Sequence, residues 1–146
     1  MSNKYPTFLD EEVLTATPLR FVQLLYRGAL DSIASARRYL RLGDIRARSR
    51  AISKAMAIVT ELSLALNHQA CAELCKNLAL LYGYVELLLM KANAQQIDPP
   101  LAEAERLLST LAEAWDGCAP PAAAPGAYQE LDEPQEQLNE PLTCAY

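Results

Sequence analysis

Leu14-Thr-Ala-Thr-Pro-Leu-Arg-Phe-Val-Gln-Leu-Leu-Tyr-Arg-Gly-Ala-Leu30 carries the start of a helix and the face that it buries. Thr17 has the side chain of a good N-cap, since its hydroxyl can accept from the free N–H groups of the first turn. Pro18 follows at the first helical position, where the missing N–H costs nothing and the fixed φ suits the helix. Leu19, Val22, Leu25, Tyr26, Ala29, Leu30 and Ile33 then recur at three- and four-residue steps, which lays them along one face. The pattern runs to Leu42, and Gly43 is a natural C′ residue.

Three more helices are expected beyond it. Asp44 caps a second, to about Leu66; a third spans about Gln69 to Gln96; Asp98-Pro99-Pro100 opens a fourth that closes near Trp115 or Asp116, before Gly117. No β-branched alternation or Asn-Gly hairpin signal competes. Long helices joined by short loops imply antiparallel neighbours, hence an all-α, up-down four-helix bundle over 17–116. Residues 1–16 form an N-terminal leader. Residues 117–146, rich in proline, alanine and acids, have little apolar surface to offset ordering entropy and read as a disordered tail.

The chain has 146 residues, of which 51% are hydrophobic, and a net charge of −5. All 13 Lys and Arg precede residue 117, together with 13 of the 18 acids, so residues 1–116 balance and the acidity belongs to the tail. Arg37, Arg38, Arg41, Arg46, Arg48, Arg50 and Lys54 make one local basic excess. Without interleaved aromatics it reads as a solvated helix corner rather than a nucleic-acid footprint. The longest apolar run, Leu78 to Met90, contains Glu86 and falls short of the roughly 20 residues of a membrane span. The N-terminus lacks a signal-peptide pattern, so a cytoplasmic location is expected.

The helices hold more apolar surface than a bundle needs. Helix two has one seam through Ile45, Ile52, Val59 and Leu66, and a second stripe through Ala51, Ile58 and Ala65. Helix three carries only one charge between Leu78 and Met90. A helix apolar on most of its circumference is either central or covered by something else, and a four-helix bundle has no central helix. A groove for an apolar partner follows; cover by the leader, by the tail or by a second copy is the alternative.

Four segments resemble, in order and at compatible spacing, the flagellin-specific export chaperone family, FliS. They are the Thr-Ala-Thr-Pro and Leu-Tyr-Arg-Gly-Ala-Leu strings of helix one, Ile52-Ser-Lys-Ala-Met-Ala-Ile-Val-Thr-Glu-Leu62, Asn77-Leu-Ala-Leu-Leu-Tyr-Gly-Tyr84 continuing to Ala92-Asn93, and Leu107-Leu-Ser-Thr-Leu-Ala-Glu-Ala-Trp115. The resemblance covers about residues 5–116. Leu19-Arg20 stands where the family often has Glu-Glu, Glu86-Leu87 where it usually has Arg-Arg, and Asn67-His-Gln-Ala70 replaces a glycine-containing loop.

The resemblance implies a cytoplasmic chaperone that binds the disordered C-terminal segment of flagellin, blocks premature polymerisation and assists delivery to the export gate. No cofactor, nucleic acid or membrane insertion is implied, and a monomer or weak homodimer is expected. The leader around Tyr5 and Leu14 would lie near the groove. Helical phase adds Leu24 and Leu25 on helix one, Ala51, Ala55, Ile58 and Leu62 on helix two, and Leu78, Tyr82 and Val85 on helix three as lining candidates, each equally able to be plain core. Tyr26 and Trp115 are assigned to the core.

His68, Cys71 and Cys75 share the spacing that gathers side chains on one helical face, and Cys118 lies at the same end of an up-down bundle. They are weak candidates for a metal site, because spaced cysteines on helices are more often small core residues. One His, no Gly-x-Ser-x-Gly, no phosphate loop and no His-Glu-x-x-His leave no basis for catalysis. A metal- or thiol-responsive bundle and a homodimeric structural bundle are the alternative functions.

Overall fold

The computed structural model describes residues 17–118 and 145–146. The leader, including Tyr5 and Leu14, and the tail from 119 to 144 lie outside the described residues. Four helices are present, α1 (Pro18–Leu42), α2 (Ile45–Leu64), α3 (Ala72–Gln95) and α4 (Pro99–Gly117), with no strand among the described residues.

Local chemistry sets the ends of α1 where the sequence placed them. The Thr17 hydroxyl accepts from Arg20 N at 3.1 Å, and Gly43, at φ 77°, donates back to the Leu40 carbonyl. Only glycine takes that left-handed turn at no steric cost. Asp44 then caps α2 by accepting from Ala47 N at 3.0 Å. Two residues therefore reverse the chain.

The start of α3 differs from the expected Gln69. Asn67 Oδ1 accepts from Gln69 N at 3.2 Å and its carbonyl accepts from Ala70 N, so residues 67–70 close an asparagine turn, and the helix begins at Ala72. A short polar side chain that bonds its own backbone competes with helix formation. Asp98 likewise makes no capping bond. Its carboxylate is held by Arg37, with Nε 2.8 Å from Oδ1 and Nη2 2.9 Å from Oδ2, while Arg37 Nη1 reaches Glu105 at 2.6 Å. A two-pronged charge-assisted contact outcompetes one backbone N–H.

Each helix packs on the next, and α4 closes the ring onto α1. Gln23 reaches the Trp115 carbonyl and Arg37 reaches Asp98, so α1 and α4 run in opposite directions. Ser49 meets Asn93 and Thr60 meets Glu86, which does the same for α2 and α3. The core takes Val22, Tyr26, Ala29 and Ile33 from α1, Ile52, Ala55, Val59 and Leu62 from α2, Leu78, Tyr82, Val85 and Leu89 from α3, and Leu101, Ala104, Leu108 and Trp115 from α4. Burying one such large apolar side chain stabilises the fold by roughly 1.5–3 kcal/mol before entropy is charged.

Among the described residues one charge is inside. Arg48 is 4% exposed, with Nε 3.2 Å from Asn93 Oδ1 and Nη1 3.3 Å from Gln96 Oε1. It meets the C-terminal end of α3, where the carbonyl ends of the helix favour a cation. Gln96 sits at φ 57°, the one positive φ outside glycine among the described residues. Its bond to Arg48 helps to hold that less favoured backbone.

A candidate partner-binding surface

Two surfaces emerge from the same helices. The first is a furrow between α1 and α2, of about 320 Å³, lined by Asp31, Ser35 and Tyr39 on one side and Ala47, Arg50, Ala51 and Lys54 on the other. Gly28 lies further along this helix pair. A Cβ there would come within 3.3 Å of Ile58 Cδ1, so the glycine permits the close approach of α1 and α2. Asp31, Arg50 and Lys54 give the furrow charge, and Ala47 and Ala51 give it an apolar floor.

The second surface is the outward face of α3. Glu73, Lys76, Leu80, Tyr84, Leu87 and Lys91 form one row at three- and four-residue steps, and all six are exposed. Leu80 is 66% and Leu87 61% exposed; Met90 lies beside them at 51%. Nothing stands within 4 Å of a Cβ placed on Gly83, in the middle of this face. Tyr84 leans toward α4, where its hydroxyl donates to Glu103 Oε2 at 2.6 Å. That bond to a carboxylate raises the phenol pKa.

Of the residues singled out from the sequence, Ala51 lines the furrow, and Leu24, Leu25 and Ile58 are half-buried. Ala55, Leu62, Leu78, Tyr82 and Val85 are buried in the core. The α3 residues singled out from the sequence take the plain-core option, and the exposed apolar residues of the helix lie on its other side. The charged Glu73, Lys76 and Lys91 mark the solvent side, and continuing their row selects Leu80, Tyr84 and Leu87. Glu86 misleads, because it turns sideways to accept from Thr60 at 3.0 Å.

The metal candidates do not assemble. His68 is exposed in the asparagine turn and not on a helix, Cys71 is the N-terminal boundary residue of α3, and Cys75 is buried, with Sγ 3.3 Å from the Asn67 carbonyl. No group of three metal-ligating side chains occurs among the described residues. The basic cluster is also dispersed: Arg37 is tied to Asp98 and Glu105, Arg48 is buried, and Arg38 stacks on the Tyr39 ring at 5.0 Å.

The model of the family described as flagellar protein FliS matches residues 1–122. The chain belongs to the FliS family. It is similar to the flagellar secretion chaperone FliS of Salmonella typhimurium, 34% identical over 116 residues that cover 79% of this chain and 86% of that relative. Flagellar secretion chaperone FliSB of Pseudomonas aeruginosa is 34% identical over 109 residues, 75% of this chain and 86% of the relative. FliS of Bacillus subtilis is 30% identical over 115 residues, 79% and 85%. Within the FliS fold, the motif residues turn out to be packing devices. Tyr26 and Trp115 are buried, Gly28 seats Ile58, and Asn93 receives both Arg48 and Ser49. No helix of the described residues is long and apolar enough to cross a membrane.

Proposed function

We propose that this chain is a cytoplasmic flagellar secretion chaperone that receives the disordered C-terminal segment of flagellin, keeps it from polymerising and hands it to the export gate. The observation that carries the reading is α3, which buries Leu78, Tyr82, Val85 and Leu89 on one side and leaves Leu80, Leu87 and Met90 exposed on the other. Family membership and the names of the relatives point the same way. An amphipathic client laid along this face, with the furrow at Ala51 as a second seat, would gain apolar contact. It would spend part of that gain on ordering, which leaves the complex releasable. No catalytic step is proposed.

Calorimetry with the flagellin C-terminal segment tests this, alongside circular dichroism. Saturable 1:1 binding, a negative heat-capacity change and a gain of helix are expected. The double variant Leu80→Glu/Leu87→Glu should weaken binding by roughly thirtyfold, equivalent to about 2 kcal/mol, the scale of a hot-spot contact. Its thermal midpoint should stay near that of the parent. Absence of binding, together with a dimer that persists on dilution, would instead assign the outer face of α3 to a second copy of the chain.

A further inference from the structure

The last two residues of the sequence are seated in the bundle. Ala145 is fully buried and its carbonyl accepts from Asn67 N at 2.7 Å. Cys75 Sγ lies 3.7 Å from the same carbonyl. The Tyr146 ring meets Trp115 edge-on, with centroids 5.2 Å apart, and its hydroxyl bonds to that of Tyr82 at 2.5 Å, which in turn bonds to Tyr26. Three phenols from α1, α3 and the end of the chain thus form one hydrogen-bonded line at the end of the bundle that holds the α2–α3 turn.

This is a slot with a readable specificity. A buried alanine admits only a small residue at the first position. The second position takes an aromatic ring against Trp115 and a hydroxyl against Tyr82. The Asn67 N–H needs only a peptide carbonyl, so any segment of the form small residue–tyrosine that can seat its carbonyl there meets the requirement. Trp115 Nε1 is buried beside the Tyr26 phenol, so the ring that Tyr146 meets is held within the core. Residues 123–146 lie beyond the part of the chain that the FliS family model matches.

We propose that Ala145-Tyr146 is a displaceable plug in an aromatic docking slot formed by Tyr82, Trp115, Cys75 and Asn67, and that it competes with the client for this end of the bundle. The competition rests on the proposed chaperone function; the slot itself does not. Tied to the same chain, the plug is present at a high local concentration and sets a threshold that only a well-matched client passes. A client that needs the slot open binds more weakly in proportion to the fraction of time it stands open.

Trp115 is the only tryptophan of the chain, so its emission reports the slot directly. In the full-length protein, Tyr146→Ala should shift Trp115 emission to longer wavelength and increase its quenching by acrylamide. Tyr146→Phe should keep the ring contact and the parent spectrum. A synthetic peptide Leu-Thr-Ser-Ala-Tyr, added to the Tyr146→Ala protein, should restore the parent emission saturably, and Leu-Thr-Ser-Ala-Ala should not. With the flagellin C-terminal segment, Tyr146→Ala should bind roughly tenfold more tightly than the parent, as for a slot open about one-tenth of the time. An unchanged Trp115 spectrum, or a peptide that restores nothing, would overturn the slot. Equal client affinity of parent and variant, or collapse of the fold in Tyr146→Ala, would overturn the plug as a competitor and make it a fixed part of the core. If neither protein binds the flagellin segment, the chaperone reading fails, and the peptide titration alone decides the slot.

Discussion

Helices α1 and α3 are of similar length and contribute similarly to the core, yet they treat water in opposite ways. The solvent side of α1 carries Arg27, Asp31, Arg38 and Arg41, all exposed. The solvent side of α3 carries Leu80, Leu87 and Met90 between Lys76 and Lys91. Folding alone would be satisfied by two helices of the α1 kind. Surplus apolar surface on α3 is therefore more than folding requires, which is the feature that the proposed partner would use.

The sharpest break of this comparison uses two leucines on one helix. Leu89→Ala, in the core, should lower stability by about 2–5 kcal/mol in denaturant unfolding, because the removed methyl groups leave a cavity. Leu87→Ala, on the outer face, should change stability by no more than about 0.5 kcal/mol. If Leu87→Ala is as costly as Leu89→Ala, the outer face of α3 is covered and the contrast with α1 disappears.

A middle-sized effect is expected at the corner where α1 meets α4. Asp98→Ala removes the two-pronged partner of a part-exposed Arg37, and Glu105 retains the remaining contact. The loss should be about 1 kcal/mol, shrinking as salt is added. A smaller change of opposite sign is expected at Gly83, which has open space around it inside a helix. Gly83→Ala should stabilise the protein by about 0.5–1 kcal/mol. Gly83→Leu would keep the helix but raise a bulky side chain in the middle of the outer face, so client binding should weaken while the thermal midpoint holds.

Smallest near neutral pH, and growing only in alkali, is the effect of the buried phenols. Burial raises the pKa of Tyr26, Tyr82 and Tyr146 above the ordinary value of 10.0. The folded state therefore holds these protons more tightly than the unfolded one. Their contribution is fully present below pH 10 and is lost as pH rises beyond it. Stability measured from pH 8 to pH 11 should stay level and then fall, and Tyr82→Phe should flatten the fall. A decline that begins well below pH 10 would assign it to other groups.

The sequence announced α1 almost residue for residue, because both of its ends are set by side chains that act on their own backbone, Thr17 and Gly43. It also announced four helices and a core holding Tyr26 and Trp115. It was less informative where two local signals compete. Asn67 reads as a helix flank in a linear pattern but closes its own turn, and Asp98 reads as a cap but is drawn to an arginine 61 positions away. The surplus of apolar residues on α3 was legible in kind, but not which side of the helix stays exposed. Apolar periodicity cannot distinguish the two sides of a helix that is apolar on both; only Glu73, Lys76 and Lys91 could, and Glu86 argued against them. The seat of Ala145-Tyr146 had no signal at all, since a proline-rich acidic stretch conceals a dipeptide whose partners lie in three distant segments.

The two ends of the bundle are fastened by different means. At the end where α1 passes into α2 and α3 into α4, Arg37 grips Asp98 and Glu105, and Arg48 grips Asn93 and Gln96. At the other end the fastening is a line of phenols, one indole edge and a borrowed dipeptide. Such a molecule resembles a clothes-peg, clasped by charge at the spring and by rings and hydroxyls at the jaws. Amide hydrogen exchange should be slowest around Asn93 and grow faster along α3 toward Ala72, so that the jaws, and not the spring, meet whatever is to be held.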